Sequence, residues 1–149
     1  MEFNRTLEIS ASGLRAERLR LDVVASNLAN TNTTRRADGE GPYQRRSVVF
    51  QSVPLELGFD EALGASAHVR SLRAVEVSKI IEDQKAPRLV LDPGHPDADA
   101  NGYVAYPNVD VVSEMVDLMT ATRAYEANVQ AIRAMRAMGD AALRIGSGG

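Results

Sequence analysis

Four leucines, Leu7, Leu14, Leu21 and Leu28, recur at a spacing of seven near the start of the chain. A seven-residue repeat keeps side chains on one face of a helix, and a strict one marks a coiled-coil seam. Ala11 and Ala25 fall on the same face, four positions after Leu7 and Leu21, and Val24 widens the stripe. Arg15, Glu17, Arg18, Arg20 and Asp22 occupy the remaining surface. The beat stops at ASNLANTNTT (25–34), where Asn and Thr side chains compete for backbone hydrogen bonds and favour caps and turns. The spacing predicts one helix over residues 5–30.

The other end of the chain repeats the theme. Leu118, Tyr125, Ile132 and Gly139 are spaced by seven, with Ala121, Asn128, Met135 and Ala142 interleaved three positions later. Asp110 is placed to cap the helix, and Glu114 and Asp117 put negative charge near its positive end. Arg133, Arg136 and Arg144 sit towards the negative end, and Gly146 and Gly148 are expected to stop it. A helix over 110–145 is about 50 Å long at about 1.5 Å per residue. Tyr125 and Asn128 fall on the seam, and a seam Asn commonly fixes pairing register at a cost in stability.

Between the helices the pattern changes. GPYQRRSVVFQ (41–51) reads as a strand entered from a Gly-Pro turn, HVRSLRAVEVSKIIED (68–83) as a β-branched strand, and PRLVLDPG (87–94) as a short strand bounded by prolines. Residues 53–66 fit either a loop or a short helical turn. The expected fold is α+β, with long N- and C-terminal helices forming a coiled-coil-like bundle and a small β-rich module inserted between them. The corresponding division is 1–34 with 108–149 for the helical part and 35–107 for the insert.

Composition narrows the function. A net charge of −3 lacks the basic footprint of a nucleic-acid binder, and the Arg35-Arg36 and Arg45-Arg46 pairs are too short to supply one. Without cysteine there is no disulfide, thiolate metal site or cysteine nucleophile. MEFNRTLEIS has no apolar core of a Sec signal, and no apolar run is long enough to span a membrane, so neither insertion nor a cleaved leader is expected.

The helices themselves point to assembly. Leu, Ala, Gly and Asn make a thin seam, and an isolated two-helix hairpin is marginal because helical stability comes mostly from packing. Met115, Met119 and Val129 lie off the main stripe and leave apolar surface for a second partner, met by copies of the chain or by homologous neighbours. The candidate interface is therefore Leu7, Ala11, Leu14, Leu21, Val24 and Leu28 on one helix. On the other it is Leu118, Ala121, Tyr125, Asn128, Ile132 and Met135.

SGLRAERLRLDVVASNLANTNT (12–33) resembles the N-terminal signature of the bacterial flagellar axial proteins, through Ser12, Gly13, Leu14, Asn27, Leu28, Ala29 and Asn30. DPGHPDADANGYVAYPNVDVVSEMVDLMTATRAYEANV (92–129) is similar to the proximal rod branch of that family. The matching positions are Gly102, Tyr103, Val104, Tyr106, Pro107, Asn108 and Val109, then Glu114, Met115, Val116, Asp117, Arg123, Ala124 and Tyr125. GPYQRRSVVF is also similar to that family's first strand. The resemblance implies a structural, non-enzymatic subunit without cofactor. It implies export through the flagellar type III apparatus without a cleaved signal, and assembly in the periplasmic part of the basal body. The implied partners are other rod proteins and copies of the chain, through bundled terminal helices. Within the family, a distal rod or hook-type subunit is the alternative.

Competing chemistry is weak. DADANG (97–102) opens like an EF-hand calcium loop, but position nine is Ala105, position twelve is Asn108, and Pro93 and Pro96 forbid an incoming helix. The stretch is read instead as a stiff corner leading towards the long helix. His95, held between prolines, lacks the context of a catalytic base, and His68 carries no motif. Glu114 and Asp117 share a helix face, but paired-carboxylate hydrolysis needs a cleft. Helix-end charge or a salt bridge to a neighbouring subunit's Arg is the simpler role. Arg123 and Glu126 are expected to make inter-helix contacts, and Asn27 and Asn30 to end the first helix.

Overall fold

The computed structural model describes residues 2–37, 39, 41–55 and 72–147. Helix α1 runs Glu2–Ala29, strands follow at β1 (Arg46–Pro54), β2 (Arg73–Glu82), β3 (Arg88–Leu91) and β4 (Tyr103–Tyr106), and helix α2 runs Val111–Ser147. The fold is α+β, with two long helices flanking a small set of antiparallel strands. Most of 53–66, together with His68, Gly148 and Gly149, lies outside the described residues. Gly146 falls inside the last turn of α2 and does not stop it.

Both helix boundaries have local causes. Asp110 Oδ1 accepts the Val112 N–H at 3.0 Å, satisfying a donor that the first turn leaves free. At the end of α1, Asn30 Nδ2 donates to the Ser26 carbonyl (2.9 Å) and Thr31 Oγ1 to the Leu28 carbonyl (2.8 Å). These side chains add to the backbone bonds that the Asn30 N–H (3.1 Å) and the Thr31 N–H (3.4 Å) make to the same two carbonyls, closing the end of the helix.

The strands form two two-stranded sheets, β1 with β2 and β3 with β4. Arg45 bonds to Asp83 and Leu55 to Leu72 across the first pair, which makes it antiparallel. In the second, Leu89 faces Ala105 and Leu91 faces Tyr103. Strand β4 is absent from the sequence reading. Its four residues, between Gly102 and Pro107, are too few for alternation to show, and Pro107 ends it by having no N–H to offer. The stretch 92–102 is thus the loop of a β-hairpin, and it reaches the long helix only through β4.

The chain groups into two compact units. The first comprises Met1–Leu19, Phe50–Ser78 and Ala121–Gly149, and the second Arg20–Val49 and Lys79–Thr120. In the first, the buried positions include Ser12, Ala16, Leu55 and Ala121. In the second they include Val23, Val24, Asn27, Tyr43, Val104 and Glu114.

Candidate functional site

In the second unit two of the most buried side chains, beside Val104, are polar. Asn27 and Glu114 both have no exposed surface. Asn27 Nδ2 donates to the Arg46 carbonyl (2.8 Å) and to Glu114 Oε2 (2.9 Å). Its Oδ1 accepts from the Arg46 N–H (2.9 Å) and from the Tyr43 hydroxyl (2.9 Å). Both donors and both lone pairs of the amide are used, so the group is buried without an unmade bond. The amide meets both backbone groups of Arg46, as a neighbouring strand's peptide would. It thereby ties the end of α1 to the start of β1 and to the first turn of α2.

Charge is balanced around this amide. Arg45 Nε donates to Glu114 Oε1 at 2.5 Å, and Asp117 is approached by Arg45 (3.4 Å) and Arg20 (3.3 Å). Arg46 stands over the Tyr43 ring at 5.9 Å and pairs with Glu82 at 2.9 Å. A buried carboxylate is tolerated only when its oxygens are paired, and removing a partner costs about 3–5 kcal/mol. The partners of Glu114 and Asp117 therefore lie in the same chain, where helix-end charge or a neighbouring subunit's Arg was expected. Asn27 is likewise more than a helix-ending residue, whereas Asn30 fills that role. One sequence signal was available: two asparagines three apart at one helix end, only one of which is needed as a cap.

The first unit uses close approach instead. Ser12 Oγ donates to the Ile9 carbonyl (2.6 Å) and accepts the Val75 N–H (3.0 Å), fastening β2 to α1. A Cβ on Gly13 would lie 3.1 Å from Asn128 Nδ2, which itself donates to the Ala124 carbonyl at 3.1 Å. Towards the ends of the helices, a Cβ on Gly139 would lie 3.0 Å from the Phe3 ring. Ser12 and Gly13 thus have separate tasks, one holding a strand and the other admitting an amide from α2.

None of the twelve seam positions is exposed. Leu7, Ala11, Leu14, Leu21, Leu28, Leu118, Tyr125, Asn128, Ile132 and Met135 are half-buried, and Val24 and Ala121 are buried. Met115 and Arg123 are exposed, and Asp117 is half-buried. Tyr106 lies half-buried in β4, with His95 edge-on at 6.3 Å and the Arg88 guanidinium at 5.9 Å. Pro107 is buried and Asn108 exposed, and both line a groove of about 680 Å³ beside Leu28, Thr31 and Arg88.

The DADANG loop is held by the chain's own donors. Asp97 accepts from Thr34 Oγ1 (2.8 Å) and is paired with Arg35, while Asp99 Oδ1 accepts the N–H groups of Asn101 and Tyr103, each at 2.8 Å. The Thr34 hydrogen bond is the largest influence and holds the Asp97 carboxyl below its ordinary pKa; desolvation opposes it, and the charges of Arg35 and His95 add lesser lowering effects. Gly102 has φ +81°, and a Cβ there would press on Pro93 at 3.1 Å, so this turn requires glycine twice over. Of the carboxylates that gave the loop its calcium-like look, Asp99 serves as a turn acceptor and Asp97 ties the loop to Thr34 and Arg35.

Comparison with known proteins agrees with this arrangement. Residues 7–35 match the family described as "Flagella basal body rod protein", and residues 100–145 match "Flagellar basal body rod FlgEFG protein C-terminal". The chain is 47% identical to the flagellar basal-body rod protein FlgC of Bacillus subtilis over 95% of its own length and 96% of the relative's. It is 44% identical to FlgC of Salmonella typhimurium, with 88% of each chain covered. To FlgC of Borreliella burgdorferi the identity is 38%, over 94% of this chain and 95% of that one. The two family matches fall on α1 and α2, which carry Ser12, Gly13, Asn27, Glu114 and Asn128, and the chain belongs to the FlgC family of flagellar basal-body rod proteins.

Proposed function

We propose that this chain is a structural subunit of the proximal rod of the flagellar basal body, polymerising through its terminal helices with copies of itself and with rod paralogues to build the drive shaft. One observation carries the reading: FlgC relatives align with it over nearly their whole length, including both helices. The internal bonding supports the same role. A subunit that carries torque has to keep its helices and strands in one arrangement, and Asn27, Glu114, Ser12 and Gly13 each fasten one element to another. The twelve seam positions are read as the frame of the bundle, formed by 1–34 and 108–149 around the insert 35–107. Subunits of such a rod reach it through the flagellar type III export apparatus, and no reaction or cofactor enters the account.

The test is replacement of the chromosomal gene by a version lacking residues 1–30, with secretion and assembly measured separately. The expected strain is non-motile, and its basal bodies stop short of a complete rod. Full-length tagged chain is expected to co-purify with basal bodies. Normal motility with intact basal bodies in the truncated strain would refute the proposal.

A further inference from the structure

We propose that Asn101 is a site of spontaneous covalent modification: its carboxamide becomes a carboxylate by ring closure onto the Gly102 nitrogen, at a rate governed by the turn around Asp99. Of the asparagines in the chain, only Asn101 precedes a glycine. Glycine has no side chain to crowd its own nitrogen, so that nitrogen can approach the side chain before it. Asn101 is exposed, and its carboxamide has no hydrogen-bond partner among the described residues. The glycine is fixed by the fold. Gly102 has φ +81°, and a Cβ there would lie 3.1 Å from Pro93, so the turn itself keeps the reactive neighbour in place.

The reaction needs only water and base. The Gly102 nitrogen, its proton lost to hydroxide, attacks Cγ of Asn101. A C–N bond forms to close a cyclic imide, the Cγ–Nδ2 bond breaks, and the leaving nitrogen takes protons from water to depart as ammonia. Water then opens the ring. Opening at the side-chain carbonyl leaves aspartate at position 101, and opening at the main-chain carbonyl leaves isoaspartate, with one more methylene in the backbone. The folded turn opposes the first step. The Gly102 N–H donates to the Asp99 carbonyl at 3.0 Å, and Asp99 Oδ1 accepts the N–H groups of Asn101 and Tyr103 at 2.8 Å each. Ring closure therefore proceeds from the opened turn, as often as those bonds part. Either product adds negative charge to a loop that already holds Asp97 and Asp99. Isoaspartate also lengthens the chain between Asp99 and Tyr103, whose backbone N–H and carbonyl bond at 2.8 Å. The adjoining Leu91–Tyr103 pair of β3 and β4 is the next to feel it.

The full-length chain is incubated in mildly alkaline buffer and digested with trypsin, with a zero-time sample as blank. Peptide 89–123 is followed by mass spectrometry, using fragmentation that separates aspartate from isoaspartate. This peptide contains Asn101 and Asn108, so one asparagine is the reference for the other. Asp38-Gly39, which can isomerise without releasing ammonia, falls in a different peptide. The expected result is conversion at position 101 and not at Asn108, faster as pH rises, with isoaspartate among the products. Asp99→Ala is expected to speed conversion several-fold, and Asn101→Ser to leave the peptide unmodified. Parent chain unfolded in urea gives the rate without the turn, so the test holds even if Asp99→Ala does not fold. An intact Asn101 in the folded chain, over a period that converts the unfolded chain, overturns the proposal, as does conversion of Asn108 at the same rate. Equal rates in the folded and unfolded parent, or a folded Asp99→Ala variant that reacts no faster, remove the turn from the account and overturn it as well.

Discussion

Replacing Asn27 by leucine removes four hydrogen bonds from a site with no exposed surface, and the added bulk of the side chain keeps water from taking their place. The Tyr43 hydroxyl retains Ser26 at 3.4 Å, and Glu114 retains Arg45. The Arg46 N–H, the Arg46 carbonyl and Glu114 Oε2 are left without these partners. At about 1–3 kcal/mol for each orphaned group, reduced where solvent reaches the Arg46 side of the site, the expected loss is about 3–5 kcal/mol. That is a large share of the roughly 5–15 kcal/mol that holds an ordinary domain together. Urea unfolding followed by tyrosine fluorescence is suited to the measurement, because the chain has no tryptophan and Tyr43, Tyr103 and Tyr106 all lie in the second unit. Asn27→Asp sharpens the test. It keeps both accepting positions but sets a second carboxylate where an N–H stood 2.9 Å from Glu114. Its loss should be relieved in part by Glu114→Gln, which removes the repulsion. If Asn27→Leu unfolds within about 0.5 kcal/mol of the parent, the range of an indifferent surface change, the amide is no hub and the reasoning fails.

Gly13→Ala gains up to about 1 kcal/mol of helix propensity but sets a methyl 3.1 Å from the Asn128 amide, so thermal melting is expected to fall, and Gly13→Ala/Asn128→Ala to recover it. Acidification should loosen the hairpin loop through Asp97. Its carboxyl is held below the ordinary value, so its contribution is complete above that value and is lost as pH falls through the lower, folded one. Amide exchange at Asp97 and Gly102 against pH reads this, and an unchanged acid profile in Asp97→Asn would refute it.

The helices were legible in the sequence because a periodicity of seven is local: each leucine announces its face without reference to the rest of the chain. The strands at 46–54, 73–82 and 88–91 were legible to within a few residues for the same reason. The polar network was not. Asn27 finds Arg46 nineteen positions on and Glu114 eighty-seven positions on, and nothing in the residues around Asn27 reports either distance. The tandem arginines at 45 and 46 were read as a weak basic feature, yet they divide their work: Arg45 neutralises Glu114, and Arg46 lends its backbone to Asn27. Met115 and Met119 were legible as surplus apolar surface because they break the period of the seam.

The two glycines that admit a group from the opposite helix face in opposite directions. Gly13 on α1 receives Asn128 from α2, and Gly139 on α2 receives Phe3 from α1. Each helix is therefore both tooth and notch. Moving one along the other by a single residue carries each intruding group off its glycine and against a neighbour that has a side chain. Thrust along the helices in either sense meets a steric stop, which salt does not screen. Within the first unit, the absence of two methyl groups is what lets the helices lock against shear.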